Sequence, residues 1–202
     1  MSAQSRIAAG LRRLLKAFGG DYSAYFIYCS PPTDSSIAQV DVPIKSVRRV
    51  GPDELASCEH DSLRDQLHYT GTQSDAFAFV ENGSIVGLCF YWHGDRYKQR
   101  NFWPLQENEA KLVQITTLPV VRGRGVATQL IRQSLREMAA QGIVRAYARV
   151  WHSNAPSYRA FERAGWTRIA FVAEMNPRWL SRPWRLAVRL PSKSGPAHRA
   201  LV

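Results

Sequence analysis

The chain has 202 residues, 45% of them hydrophobic, enough for one substantial apolar core and too few for a second full domain. Its net charge of +11 suits a nucleic acid, an anionic cofactor or an anionic surface, but no helix-turn-helix, zinc-finger or RNA-binding signature supports the first, and no nucleic-acid partner is expected. Cys29, Cys58 and Cys89 are widely spaced and form no metal or redox pattern, which suits a reducing cytoplasm, and no segment approaches the roughly 20 apolar residues of a membrane-spanning helix.

Residues 1–20 carry Arg6, Arg12, Arg13 and Lys16 and no acid, while Ile7, Leu11, Leu14, Leu15 and Phe18 mark one apolar face of a helix. That face suits docking on the chain's own domain, on a twin subunit in a homodimer, or on an anionic membrane surface at the inner face of the membrane. Docking on its own domain is favoured. Arg12-Arg13 resembles the start of a twin-arginine export signal, but Gly19-Gly20-Asp21 interrupts the apolar run such a signal needs, so a cytoplasmic protein is expected. Residues 21–30 read as an aromatic-rich strand and 31–41 as a polar connection, so that 1–41 form an N-terminal extension to a main domain over 42–190.

Residues 42–50 should form the first strand of that domain, and Pro52-Asp53-Glu54 opens one or two helices over 52–68. Segments 76–80 and 84–91 flank Glu81-Asn82-Gly83, a hairpin signal. Residues 92–108 are polar and aromatic, too long for a tight turn. Leu112-Val113-Gln114-Ile115-Thr116-Thr117-Leu118 is strand-like and closed by Pro119, and after Arg122-Gly123-Arg124-Gly125 a helix follows with Ala127, Ile131, Leu135 and Met138 at helical spacing. An apolar strand over 143–151 leads to Asn154 and a short helix ended by Gly165-Trp166, with Gly165 as its C-cap. Strands at 167–174 and 184–190 complete the sheet, and 191–202 read as a loose tail.

A strand, a glycine-rich turn and a helix aim free backbone N–H groups and a helix N-terminus at one point, which suits a phosphate. The turn is not a P-loop, since Val126-Ala127 follows Gly125 where Lys-Ser/Thr is needed. It is not a dinucleotide fingerprint either, since Thr128 stands at the third glycine and no acid lies between Glu137 and Glu162. The segment resembles the acyl-CoA-binding motif of the GNAT superfamily of N-acyltransferases, Gln/Arg-x-x-Gly-x-Gly/Ala after a strand, with Arg122, Gly125 and Ala127 at its fixed positions. Asn154 and Gly165-Trp166 stand in register with the second stretch of that family, and the resemblance covers roughly 42–190.

The resemblance implies a mixed, mostly antiparallel α/β sheet with helices on both faces, splayed where an acyl-pantetheine enters. It implies acetyl-CoA, or another acyl-CoA, as co-substrate and no metal. Ile115, Thr116 and Thr117 would give strand contacts, with the N–H of Ile115 as oxyanion donor. Arg122, Gly123, Arg124, Gly125, Val126, Ala127 and Thr128 would hold the pyrophosphate, and Asn154 the pantetheine arm. One position departs from the pattern: Phe161 stands where many members carry the tyrosine that protonates the leaving thiolate, and Tyr158, three residues earlier, is the substitute candidate. Glu109 is the candidate base, because regular alternation would put it on one side of the strand with Lys111, Val113 and Ile115. The expected reaction is acetyl transfer to a primary amine of a small molecule, an amino sugar, amino acid or polyamine. A protein N-acetyltransferase, or a GNAT-like acyl-CoA-binding regulatory or scaffolding domain without activity, are the alternatives.

Overall fold

Tyr25, Ile27 and Tyr28 are fully buried, so both faces of the first strand are covered and its sequence shows no apolar–polar alternation. The reason is topological. In the computed structural model, which describes residues 21–32, 46–176 and 184–191, the strand β1 (Asp21–Cys29) lies inside the sheet. It pairs antiparallel with β6 (Arg145–Trp151) on one edge and with β7 (Thr167–Asn176) on the other. The strand assigned to an N-terminal extension therefore belongs to the same sheet as the main domain. Residues 1–20, with their apolar face and paired arginines, lie outside the described residues, as do 33–45, 177–183 and 192–202.

The other strands are β2 (Val47–Arg49), β3 (Ser74–Glu81), β4 (Ser84–Trp92), β5 (Glu109–Thr117) and β8 (Trp184–Arg189). The sheet order is β2-β3-β4-β5-β6-β1-β7-β8, and only the β5–β6 pair is parallel. The β3–β4 hairpin turns at Asn82 (φ 52°) and Gly83 (φ 82°), the two left-handed residues that a tight hairpin turn requires. The expected mixed, mostly antiparallel sheet is present.

Helices α1 (Pro52–Ala56) and α2 (Asp61–Arg64), a 3-10 turn over Asp65–Tyr69, α3 (Val126–Ala140) and α4 (Ala155–Arg163) cover it. Adjacent residues of β4 identify the faces. Phe90 and Trp92 meet the Tyr69 ring at 5.4 and 5.9 Å, whereas the Tyr91 hydroxyl shares a hydrogen bond with Ser134 of α3 at 3.1 Å. Because neighbouring strand residues point to opposite faces, the Tyr69 segment and α3 lie on opposite sides of the sheet. Val126, Leu130, Ile131, Leu135 and Met138 bury the apolar stripe of α3 against it.

Beneath β1, β6 and β7 the Tyr69 side is sealed by a loop. Phe102 packs with Tyr25, Ile27, Tyr147 and Val172, and the Arg185 guanidinium donates to the Phe102 carbonyl at 2.7 Å. No helix among the described residues is long and apolar enough to cross a membrane.

Candidate active site

The parallel β5–β6 ladder runs from Glu109↔Arg145 to Leu112↔Ala148 and stops. Beyond it, residues of β5 pair only with β4 among the described strands, so a gap opens between β5 and β6. A bulge sits at the point of divergence: Tyr91 pairs with Leu112 but Phe90 with Gln114, which leaves Val113 as the extra residue. Arg100 donates to the freed Val113 carbonyl at 3.3 Å.

The bulge overturns the regular alternation on which the choice of Glu109 rested. Lys111 and Gln114 share the face of Trp92 and Phe90, while Leu112 and Ile115 take the face of Tyr91 and Cys89, toward α3. Glu109 also lies at the closed end of the ladder. It is 8% exposed, and its carboxylate accepts the Tyr147 hydroxyl at 3.0 Å and the Gln106 N–H at 2.9 Å. It lines neither cleft described below.

Two clefts meet in the gap. The wider, about 590 Å³, runs over Ile115, Thr116 and Thr117, along the turn Arg122, Gly123 and Gly125, and past Val126, Ala127 and Thr128 to α4. Gly125 is the N-cap of α3 with φ 83°, and a Cβ added there or at Gly123 would meet nothing within 4 Å. No side chain caps α3, so its first N–H groups and the positive end of its dipole face an open, glycine-lined surface. Arg122, Arg159 and Arg163 line the same cleft. The last two are one turn apart on α4 and were missed in the sequence, although their spacing already puts them on one face. Arg124, expected on the pyrophosphate, instead forms an ion pair with Glu81 of β3, its Nη1 at 3.0 Å, and does not line the cleft.

The narrower cleft, about 120 Å³, lies in the gap itself and is lined by Arg100, Phe102, Gln114, Arg149 and Trp151 together with Ile115, Asn154, Ser157 and Phe161, the last four shared with the wider cleft. Asn154 is the N-cap of α4, its Oδ1 accepting the Ser157 N–H at 3.2 Å. Gly165 (φ 87°) closes the other end, where the Trp166 N–H returns to the Phe161 carbonyl at 3.0 Å. Phe161 is buried between Tyr28 and Trp166 and presents only carbon to both clefts.

Tyr158, the substitute for a tyrosine at that position, lies outside both clefts, under the Arg168 guanidinium at 4.9 Å from its ring centre. The hydroxyl on the cleft-facing side of α4 is that of Ser157, one turn before Phe161, which the sequence reading passed over. No carboxylate or imidazole lines either cleft among the described residues, and no group of acidic, cysteine or histidine side chains among them is arranged to hold a metal.

A bulged, splayed strand pair with a glycine-lined helix N-terminus at its mouth sets unpaired strand backbone beside a place suited to an anionic group. The profile of the Acetyltransferase (GNAT) family matches residues 45–166, and the chain belongs to that family. It is similar in fold to a GNAT-family acetyltransferase from Colwellia psychrerythraea, with a TM-score of 0.56 at 14% identity over 84% of this chain and 62% of that one. It is likewise similar to a conserved protein of unknown function from Staphylococcus epidermidis, with a TM-score of 0.53 at 11% identity over 87% of this chain and 68% of that one. A protein from Novosphingobium aromaticivorans assigned to the GNAT family aligns with a TM-score of 0.50 at 19% identity, over 78% of this chain and 66% of that one. The chain spans less than two thirds of the length of the Colwellia and Novosphingobium proteins. No curated protein matches it.

Proposed function

We propose that this chain is an N-acyltransferase that moves an acetyl group from acetyl-CoA to a primary amine of a small molecule in the cytoplasm. The observation that carries the reading is the meeting of two clefts at Ile115, Asn154, Ser157 and Phe161, one shaped for a polyanion and the other reaching through the sheet. The uncapped start of α3, the open glycine turn and three arginines fit a pyrophosphate. Unpaired strand groups on β5 fit the amides of a pantetheine arm, and the Asn154 side chain lies beside them.

Acetyl-CoA supplies an activated acyl carbon. The chain's part is to hold the thioester carbonyl against the N–H of Ile115, to bring a neutral amine to it through the narrower cleft, and to exclude bulk water with Phe161, Phe102 and Trp151. A C–N bond forms and the C–S bond breaks. One amine proton is lost, the sulfur leaves as a thiolate that takes up a proton, and the products are an amide and free CoA. Ser157, which lines both clefts, is the side chain we assign to donate a hydrogen bond to that thiolate.

The absence of an acid or imidazole from the lining residues favours one alternative, a domain that binds acyl-CoA without turning it over. A free-thiol assay with acetyl-CoA and a panel of amines separates the two. Amine-dependent thiol release supports transfer. Calorimetric binding of acetyl-CoA with no thiol release from any amine supports the binding module.

A further inference from the structure

The acceptor side of the gap is strongly cationic, and one cation on it has no hydrogen-bond or ion-pair partner among the described residues. Lys111, Arg100, Arg149 and Arg185 converge there around Phe102. The Lys111 ammonium lies 4.7 Å from that ring and the Arg149 guanidinium 5.7 Å, and Arg185 bonds to its carbonyl.

Three of the four have assigned work. Lys111 donates to the Arg100 carbonyl at 3.1 Å and to Asn101 Oδ1 at 3.3 Å. Arg100 bonds to the Val113 carbonyl and, at 2.8 Å, to the Tyr69 hydroxyl. Arg185 holds Phe102 and lies 3.4 Å from Glu174. That glutamate is already taken up by Tyr25 at 2.6 Å and Ser23 at 3.2 Å. Arg149 makes no hydrogen bond or ion pair among the described residues. Its half-buried guanidinium is instead stacked among the rings of Trp151 (5.0 Å), Tyr25 (5.3 Å) and Phe102 (5.7 Å), and it lines the narrower cleft.

We propose that Arg149 is the subsite for a carboxylate on the acceptor, so that the substrate is a small amine bearing a carboxylate, an amino acid or a close relative. This rests on the N-acyltransferase reading above. Stacking fixes the plane of the guanidinium and leaves its N–H fork for a ligand, the geometry that suits a carboxylate bidentately. A cleft of about 120 Å³ is well below the size of drug-like sites and matches a compact molecule. Polyamines, with several ammonium groups, meet repulsion from Lys111, Arg100, Arg149 and Arg185, and a simple amino sugar brings no carboxylate for Arg149.

The same field bears on the proton. Burial together with Arg149 and Arg185 brings Lys111 down to about 7. An acceptor amine drawn in beside these cations is pushed in the same direction. It therefore enters as the free base, its proton released to water, without a carboxylate to take it.

The test is thiol release from acetyl-CoA with each of the twenty amino acids, its amide and its decarboxylated amine, using the full chain. At least one free acid is expected to exceed its own amide about a hundredfold in kcat/KM. Arg149→Gln, in a variant that still binds CoA, is expected to erase that difference. The acid-against-amide comparison in the unsubstituted protein needs no variant. Amides or decarboxylated amines turned over as well as the acids overturn the carboxylate subsite while leaving N-acyl transfer standing. No turnover of any amine, with acetyl-CoA bound, removes the transferase reading and this inference with it.

Discussion

Gly125 offers a sharp test of the proposed pyrophosphate site. It combines the N-cap of α3, φ 83° and an empty surround, since a Cβ added there meets nothing within 4 Å. Gly125→Ala therefore costs only the left-handed conformation, about 1–2 kcal/mol, which is present in free and bound protein alike and cancels from the affinity. Gly125→Asp adds a carboxylate. At about 5 Å from a phosphate and an effective dielectric constant near 20, Coulomb repulsion is roughly 3 kcal/mol per unit charge, somewhat less after salt screening. Aspartate is among the residues that tolerate a left-handed backbone, so the fold should hold while binding falls. The expectation is an acetyl-CoA Kd raised on the order of a hundredfold by Gly125→Asp and only a few-fold by Gly125→Ala. The ratio should narrow as salt rises. Titration calorimetry gives the affinities and scanning calorimetry checks the fold. If Gly125→Asp folds and binds as the parent does, or if alanine costs as much affinity as aspartate, the assignment of the turn to a phosphate is wrong.

Glu109→Gln should leave kcat/KM within about twofold but lower the melting temperature, since a buried carboxylate with two hydrogen bonds is worth about 1–3 kcal/mol. A hundredfold rate loss at unchanged stability would restore Glu109 as the base. Ser157→Ala should lower kcat roughly tenfold or more, the worth of a hydrogen bond to a charged atom, while Tyr158→Phe leaves it alone; the reverse order in steady-state assays would return the role to Tyr158. Lys111 is depressed to about 7 in the folded chain, chiefly by burial, so between pH 7 and its unfolded value near 10.5 the unfolded state binds more protons and stability rises with pH. That gain, on the order of a few kcal/mol, should be missing from Lys111→Met, and denaturant titrations at pH 7 and pH 9.5 showing equal gains in both proteins would refute the shift.

Features coded by local chemistry were legible in the sequence. Asn82-Gly83 announces its hairpin, Arg122-Gly123-Arg124-Gly125 its turn, and Asn154 and Gly165 the two ends of α4, because each is a backbone requirement met within a few residues. What was lost depends on distant partners. Arg124 reads as a phosphate ligand until Glu81, 43 positions earlier, is placed beside it. The bulge at Val113 has no local signature, yet it reverses which face Ile115 shares and so puts Ile115 on the opposite face from Lys111. On α4 both Ser157 and Tyr158 lie about one turn from Phe161, and only the position of the clefts singles out Ser157 as the one that lines them.

The position of β1 ties these features to the site. A strand read as part of an extension lies between β6 and β7 and so backs the narrower cleft, which β6 lines with Arg149 and Trp151. Tyr25 stands opposite Trp151 on β6 and opposite Val172 on β7, and its ring meets Trp151 edge-on at 5.7 Å. Its hydroxyl holds Glu174, which stands opposite Arg185 on β8. That same ring is one wall of the stack around Arg149. With the slot between β6 and β7 left empty, Arg149 would lose an aromatic face and Glu174 its hydroxyl donor, freeing the carboxylate to approach the guanidinium and neutralise it. Insertion of β1 keeps the Glu174 carboxylate occupied and the stacked arginine available. The charge balance around Arg149 is thus a product of topology, set by residues more than 100 positions away from those they position.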